Sequence, residues 1–185
     1  MKSALVGLVF AGATVVTPGT WRVEQGAVRV ICPMTVGGSF EAKTTALSGS
    51  VTAGAADSQA FDGSLAVSLS TLDTGIGLRN EHLRENYLEV GKGAGFDRAT
   101  LSEIDLNGFN PDTPEGKGSF TALLSLHGVT KAVTGNVEIR PSGAGLRVKA
   151  SFPVQLSDYS IRSPRYLGIG VKDTVQVEVN FTVAQ

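Results

Sequence analysis

Apolar and polar residues alternate along much of this chain, and the alternation is clearest near the C-terminus. Every second residue from Val175 to Val183 is apolar, and Gln, Glu, Asn and Thr stand between them. Successive side chains of a β-strand point to opposite faces, so this period of two predicts a strand with one apolar and one solvated side. The same alternation predicts strands at residues 65–69, 120–126, 133–139 and 146–156.

Shorter and less regular strand patterns lie near residues 21–23, 28–31, 38–42, 47–51 and 99–106. Runs of Gly, Asn, Asp and Pro separate many of these segments, and regularly spaced strands with such turns are typical of a β-sandwich or β-barrel. Clean alternation favours antiparallel pairing over a parallel sheet that is buried on both faces. The pattern therefore predicts an all-β domain of about eight antiparallel strands.

Residues 78–88 break the alternation and have the spacing of a short helix. Leu83 and Tyr87 are four residues apart and would share one helix face. Asn80 is the expected N-cap, with Glu81 in the first turn, because Asn accepts hydrogen bonds from the first backbone amides. A single helix in an otherwise all-β chain is expected to cover an open end or edge of the sheet.

The first residues predict a signal peptide. Lys2 precedes an uncharged apolar stretch over residues 4–16, and Ala11-Gly12-Ala13 offers a cleavage site of small residues. The stretch is shorter than the roughly 20 apolar residues that span a bilayer. We expect a cleaved signal peptide over residues 1–16, one domain over residues 17–185, and a periplasmic or extracellular location. The alternative is a first strand or a buried N-terminal segment.

Composition excludes several classes of function. The 16 Lys and Arg nearly balance the 17 Asp and Glu without a basic run, so no nucleic-acid partner is expected. The single cysteine, Cys32, allows no intrachain disulfide. Two histidines, His82 and His127, and one cysteine show no recognised metal-ligand spacing, so neither a metal nor a cofactor is expected.

Catalytic motifs are also missing. No strand-turn-helix nucleophile elbow is present. The glycine-rich segment over residues 91–95 follows a helix, whereas a phosphate-binding loop precedes one. We therefore expect no enzymatic activity. His127 is expected to be a turn residue at a strand end. An isomerase or hydrolase is one alternative, because His82 stands out as a candidate catalytic side chain. A protein-interaction module that uses the sheet face or the helix is another.

Three segments, in this order along the chain, resemble the YceI-like family, the polyisoprenoid-binding proteins of the bacterial periplasm. The first consists of Leu72-Asp73-Thr74, Arg79-Asn80-Glu81-His82-Leu83-Arg84 and Tyr87-Leu88. The second is Leu124-Ser125-Leu126-His127-Gly128-Val129-Thr130-Lys131-Ala132-Val133. The third joins Leu156-Ser157-Asp158-Tyr159-Ser160-Ile161 to Val171-Lys172-Asp173-Thr174-Val175-Gln176-Val177. Three motifs in the same order with matching spacing are specific as a set.

The resemblance implies a lipocalin-like antiparallel β-barrel with the helix near its open end, or mouth. It also implies that a long isoprenoid chain, such as a polyprenyl quinone or polyprenyl phosphate, binds inside for storage, transport or sequestration. The partner would be that isoprenoid or another long-chain lipid, with no transmembrane segment, and a homodimer is left open.

Under this interpretation, apolar side chains on the alternating faces would line the lumen. The expected lining residues are Met34, Phe40, Val67, Leu69, Phe120, Leu124, Leu126, Phe152, Val154, Val177, Val179 and Phe181. The alternative is that they form a packed core, because a barrel of about eight strands fills much of its own interior.

The helix supplies the expected contacts to a polar head group. The candidates are Arg79, His82, Arg84 and Tyr87. Arginine suits an anionic head because its guanidinium donates paired hydrogen bonds. The alternative for the charged residues is a solvated helix face with ion pairs between neighbouring turns.

Overall fold

A computed structural model describes residues 19–54, 60–109, 115–166 and 169–185. The predicted signal peptide lies outside these residues. The strands are β1 (Thr20–Pro33), β2 (Ser39–Thr44), β3 (Leu47–Ala53), β4 (Ala60–Ser68), β5 (Arg98–Asn107), β6 (Gly116–Leu126), β7 (Val129–Ser142), β8 (Gly145–Gln155), β9 (Arg165–Tyr166), β10 (Ile169–Gly170) and β11 (Thr174–Ala184). The helix α1 (Gly77–His82) continues into a π-helical turn, Leu83–Tyr87, and 3₁₀ turns occupy Leu69–Thr71, Val90–Lys92 and Leu156–Tyr159.

Eight strands close into an antiparallel barrel in the order β1, β3, β4, β5, β6, β7, β8 and β11. The first and last of them pair with each other, with Val28 opposite Val179 and Val30 opposite Val177. This closure confirms the barrel and excludes an open sandwich. β2 pairs with the C-terminal part of β1, beyond the residues of β1 that pair with β3, and Cys32 stands opposite Phe40.

β1 is one strand where the sequence predicted two short ones. Its pairing with β11 shifts register between Val23 and Gln25, which marks a bulge. A bulge inserts an extra residue into one strand of a pair, so it interrupts the two-residue period without ending the strand.

The helix begins earlier than predicted, and Asn80 as its N-cap is wrong. Asn80 lies inside α1, which starts at Gly77. Its side-chain oxygen accepts a hydrogen bond from the backbone amide of Thr74 at 2.8 Å, and its nitrogen donates to the Asp73 carboxylate at 2.7 Å. The side chain therefore fixes the turn that precedes the helix.

The outer wall of the barrel is polar, as the alternation predicts. Arg29 on β1 donates two hydrogen bonds to Glu178 on β11, from Nε at 3.0 Å and from Nη2 at 2.5 Å, and one to Glu41 on β2 at 3.0 Å. These partners raise the pKa of Arg29, with the hydrogen bond to Glu178 as the main cause. This charged cluster lies on the face of β1 opposite to Val28 and Val30, which border the interior.

Inside the barrel, aromatic rings pack against a glycine. Phe120 and Phe152 are both buried and meet edge to face, with 5.7 Å between ring centroids. Gly135 on β7 stands opposite Phe120 on β6. A Cβ atom at Gly135 would lie 2.7 Å from Phe120 Cε1 and 2.4 Å from the backbone oxygen of Ser151 on β8. Only a residue without a side chain fits there.

The two ends of the barrel differ. At the mouth lie the β1–β2 hairpin, α1 with the π-helical turn, the β6–β7 turn at His127, and the β9–β10 pair. The opposite end includes the tight β7–β8 turn at Gly143.

Candidate ligand-binding lumen

The interior of the barrel contains two apolar cavities that are stacked along its axis. The upper cavity, next to the mouth, has a volume of about 190 Å³. The lower cavity has a volume of about 110 Å³. Four side chains line both cavities and form a waist between them: Leu65, Leu101, Phe152 and Val179.

Eleven of the twelve side chains expected to line a lumen do border these cavities. Those bordering the upper cavity only are Phe40, Val67, Leu69, Leu124, Leu126, Val154 and Val177. Phe120 and Phe181 border the lower cavity only, and Phe152 and Val179 border both. Their contact with a ligand stays a prediction.

Met34 is the exception, because it borders neither cavity. It follows the last residue of β1, forms an isolated bridge with Val171, and reaches back over Gly38 in the hairpin. The chain leaves the barrel wall at Pro33, so the inward register that includes Val30 and Cys32 does not extend to Met34.

Several cavity-lining residues were not among those expected. Some lie on strands, namely Cys32, Ala42, Leu47, Ala99 and Leu101. Others lie in irregular segments at the mouth: Leu72, Leu88, Leu156, Ile161, Pro164 and Val171. Leu156 continues the alternation of the predicted strand 146–156, whereas the other five residues of the second group have no periodic spacing that would assign them to the lumen.

The thiol of Cys32 is part of this apolar wall. Burial raises its pKa to about 11, so the thiol is neutral at physiological pH. A neutral cysteine behaves as a small apolar side chain.

The π-helical turn after α1 forms part of the cavity wall at the mouth. The backbone amide of Leu88 bonds to the carbonyl of Leu83 at 2.9 Å, five residues earlier. Leu83, Tyr87 and Leu88 all border the upper cavity. Such wide turns are rare and occur often at functional sites.

The four expected head-group residues occupy different positions. The Arg79 guanidinium lies 4.4 Å from the ring centre of Phe40, which borders the upper cavity. Arg84 donates to the backbone oxygen of Leu72 at 3.2 Å, and its buried Nε has no hydrogen-bond partner in the described chain. Tyr87 borders the cavity, whereas His82 is exposed to solvent.

His127 is not simply a turn residue, because it is buried and bonded at both ring nitrogens. Nδ1 lies 2.9 Å from the backbone oxygen of Tyr159, and Nε2 lies 3.0 Å from the Glu89 carboxylate. Both partners are acceptors, so both contacts are satisfied only when each ring nitrogen carries a proton. The ring of Phe96 packs against His127 with 4.7 Å between centroids. The network joins three segments of the mouth.

This network predicts a pH-dependent contribution to stability. The hydrogen bond from Lys92 and then that from His127 lower the pKa of Glu89. A lowered carboxyl pKa stabilises the fold above the ordinary Glu range, and the contribution is lost as pH falls through the lowered pKa. We expect Glu89→Gln to lower the melting temperature at pH 7, and the difference from wild type to shrink below about pH 4.

Glu85→Gln is the matched control, because Glu85 is exposed on the π-helical turn and has no ion pair among the described residues. Its melting curve should follow that of wild type at every pH. A Glu89→Gln deficit that persists unchanged in acid would contradict the ionic origin of the effect.

Within the described part of the chain, no group of three His, Cys, Asp or Glu side chains could hold a metal ion. Over the same residues, none of the helices has the length and apolar character needed to cross a bilayer.

Among curated proteins, none matches this chain. A polyisoprenoid binding domain from Saccharophagus degradans, implicated in plant cell wall breakdown, is 16% identical, with a TM-score of 0.65 over 89% of this chain and 97% of that one. BcnA from Burkholderia cenocepacia is 18% identical, with a TM-score of 0.67 over 86% of this chain and 96% of that one.

The YceI protein from Campylobacter jejuni is 14% identical, with a TM-score of 0.52 over 98% of this chain and 97% of that one. At these identities the likeness shows a shared fold. The model of the YceI-like domain matches residues 20–183, which confirms the resemblance found in the three sequence segments. Fold, motifs and domain match agree, and the chain belongs to the YceI-like family.

Proposed function

We propose that this protein binds a long apolar ligand, most simply an isoprenoid lipid, inside its barrel and stores, transports or sequesters it. The observation that carries the proposal is the pair of apolar cavities that meet at a shared waist. We further propose that the protein is exported to the periplasm or beyond and has no enzymatic activity.

The size and lining of the cavities support a slim hydrocarbon. An apolar cavity of about 150 Å³ in a protein interior stays dry and accepts benzene. The upper cavity, at about 190 Å³, exceeds that volume. Each CH₂ group moved from water into such a site contributes about 0.8 kcal/mol. A chain long enough to reach through the waist into the lower cavity would gain more than one confined to the upper cavity.

The ligand class is supported by the relatives. A structural neighbour from Saccharophagus degradans is described as a polyisoprenoid binding domain. Branched isoprenoid chains carry no polar group along their length, which suits walls of Leu, Val and Phe. We assign this class of ligand to the present chain on those two grounds.

We place the polar head of the ligand at the mouth, near α1. Arg79 and Arg84 are the groups best suited to an anionic head, because charge-assisted bonds from arginine are strong and geometrically defined. Tyr87 borders the cavity and offers a hydroxyl. His82, being exposed, would contact only a head that extends into solvent.

Organic extraction of the purified protein, followed by mass spectrometry, tests the proposal. We expect a polyprenyl quinone, polyprenyl phosphate or a related chain in stoichiometric amount. Protein that is recovered empty is then offered a polyprenyl quinone and a polyprenyl phosphate. Failure to take up either one, with the fold intact, would contradict the proposed function.

A further inference from the structure

The exposed large apolar side chains of the described residues lie around the mouth. In the described chain they are Val36, Ile76, Leu78 and Ile169, exposed by 65%, 49%, 62% and 46%. Aliphatic side chains that remain in water lose the stabilisation that burial would provide. Their concentration at one end of the barrel therefore points to something that covers that end.

Hydrogen bonds place two of these side chains on the same part of the rim. Val36 stands in the β1–β2 hairpin, beside Thr35. The Thr35 amide donates to the Gly170 oxygen at 2.8 Å, and the Gly170 amide donates to the Thr35 hydroxyl at 3.0 Å. Ile169 precedes Gly170, so these contacts bring the hairpin and β10 together.

The other two side chains stand at the start of α1. Ile76 immediately precedes the helix, and Leu78 is its second residue. The next residue, Arg79, covers the Phe40 ring on β2, the strand that leads away from the hairpin. The four aliphatic side chains thus stand on three segments around one opening.

The rim next to Ile169 is basic. Arg162, Arg165 and Lys172 are exposed, and none forms an ion pair with another described residue. The nearby carboxylate of Asp173 is bonded to the amide and hydroxyl of Ser157. On the helix, exposed Glu81 and Glu85 accompany the arginines, so that sector is mixed in charge.

We propose that the mouth docks on the surface of an anionic lipid bilayer. The four aliphatic side chains enter the interfacial region, and the three free cations contact lipid head groups. The inference rests on the proposed function, because docking would bring the upper cavity to the surface from which an apolar ligand leaves the bilayer. The ligand would then pass from lipid to lumen without crossing water.

A second copy of the chain fits the rim less well. A specific protein interface buries about 800 Å² on each partner and is rich in aromatic residues. The rim instead presents aliphatic side chains on separate segments, with unpaired cations beside them. Charge complementarity favours an anionic lipid surface.

Flotation of the purified protein with lipid vesicles tests the proposal. We expect it to float with vesicles of mixed phosphatidylcholine and phosphatidylglycerol. Binding should fall with phosphatidylcholine alone and with high salt, which screens exposed charges. Equal binding to both vesicle types, or none to either, would overturn the proposal. A dimer in solution that leaves vesicles unbound would identify the rim as a contact between copies instead.

Two sets of substitutions separate the apolar and charged contributions. The triple variant Val36→Asn, Leu78→Asn and Ile169→Asn should lower vesicle affinity by about tenfold or more. Ala144→Asn, at an exposed position in the β7–β8 turn at the opposite end, should leave affinity unchanged.

For charge, each Lys or Arg near an anionic surface contributes about 1 kcal/mol, so removing three lowers affinity on the order of 100-fold. That variant combines Arg162→Gln, Arg165→Gln and Lys172→Gln. Its control removes three exposed cations from the outer wall, Lys117→Gln, Arg147→Gln and Lys149→Gln, and should bind as wild type does. Equal losses of vesicle affinity in both triple variants would show that net charge alone attracts the protein, and would overturn docking through the mouth.

Extraction tests the proposed function and flotation tests the docking inference, so either result can be negative without the other. A protein that carries lipid but ignores anionic vesicles retains the proposed function and loses the docking inference. A protein that floats through its rim but never takes up an apolar chain retains the docking surface and loses the proposed function.

Discussion

Replacing Ala99 with Phe is expected to empty the barrel of its ligand while the fold stays intact. Ala99 on β5 borders the upper cavity, opposite Val67 on β4. The cavity has room for an aromatic ring, since about 150 Å³ accepts benzene. A ring that displaces about four CH₂ groups of ligand removes about 3 kcal/mol, on the order of a 100-fold loss of affinity.

Ala132→Phe is the matched control for this substitution. Ala132 lies on β7 with its side chain exposed on the outer wall, so the same ring there leaves the lumen unchanged. The effect is measured in two ways: by the ligand content of the extracted protein, and by the uptake of added polyprenyl quinone. Melting curves check that the fold is intact. If the Ala99→Phe variant binds the ligand as tightly as the Ala132→Phe variant does, the ligand does not occupy the upper cavity.

Gly135→Val is expected to destabilise the barrel by about 3 kcal/mol or more. Its Cβ position lies 2.4 Å from the Ser151 oxygen and 2.7 Å from both Phe120 Cε1 and Phe152 Cβ. The backbone of β8 closes one side and the aromatic pair fills the other, so neither neighbour yields easily. Because domains of this kind are stable by about 5–15 kcal/mol, such a loss is a large fraction of the total.

Urea denaturation of Gly135→Val beside Gly91→Val measures this cost. Gly91 lies in an exposed 3₁₀ turn, and no atom lies within 4 Å of a Cβ placed there. The control should change the free energy of unfolding by about 0.5 kcal/mol or less. An unfolding midpoint for Gly135→Val that equals the control's would mean that β7 and β8 do not approach each other as closely as described.

The strands were predictable because each carries its own pattern. The alternation from Val175 to Val183 needs no partner to be recognised, and it corresponds to β11. Closure into a barrel was not predictable from alternation, because a sandwich places the same apolar faces inward. The choice depended on the family motifs, and the pairing of β1 with β11 confirms it.

The lumen was predictable only where it is built from strands. Phe152 and Val179 follow from the two-residue period, whereas Ile161 and Pro164 lie in an irregular segment and reach the upper cavity through tertiary structure. Met34 shows the converse error, since its register is right for β1 but the strand ends one residue earlier. Period alone does not reveal where a strand leaves the wall.

Polar contacts between residues distant in sequence could not be predicted from the sequence for a similar reason. Glu89 and His127 are distant in sequence and meet only after the mouth segments have assembled. Glu89 and His127 also both have positive φ angles, of 49° and 52°. Such conformations are uncommon for residues other than glycine and are maintained by the surrounding structure.

The pairing of β1 with β11 also governs when the molecule can fold. A chain emerging from the ribosome exposes β1 first and β11 last, so the barrel cannot close until nearly all of it has been synthesised. A pairing between strands this far apart in sequence forms slowly, because the entropy of closing the intervening chain must be lost before the contact forms. A late closing step keeps the nascent chain without its complete barrel until the last strand is available.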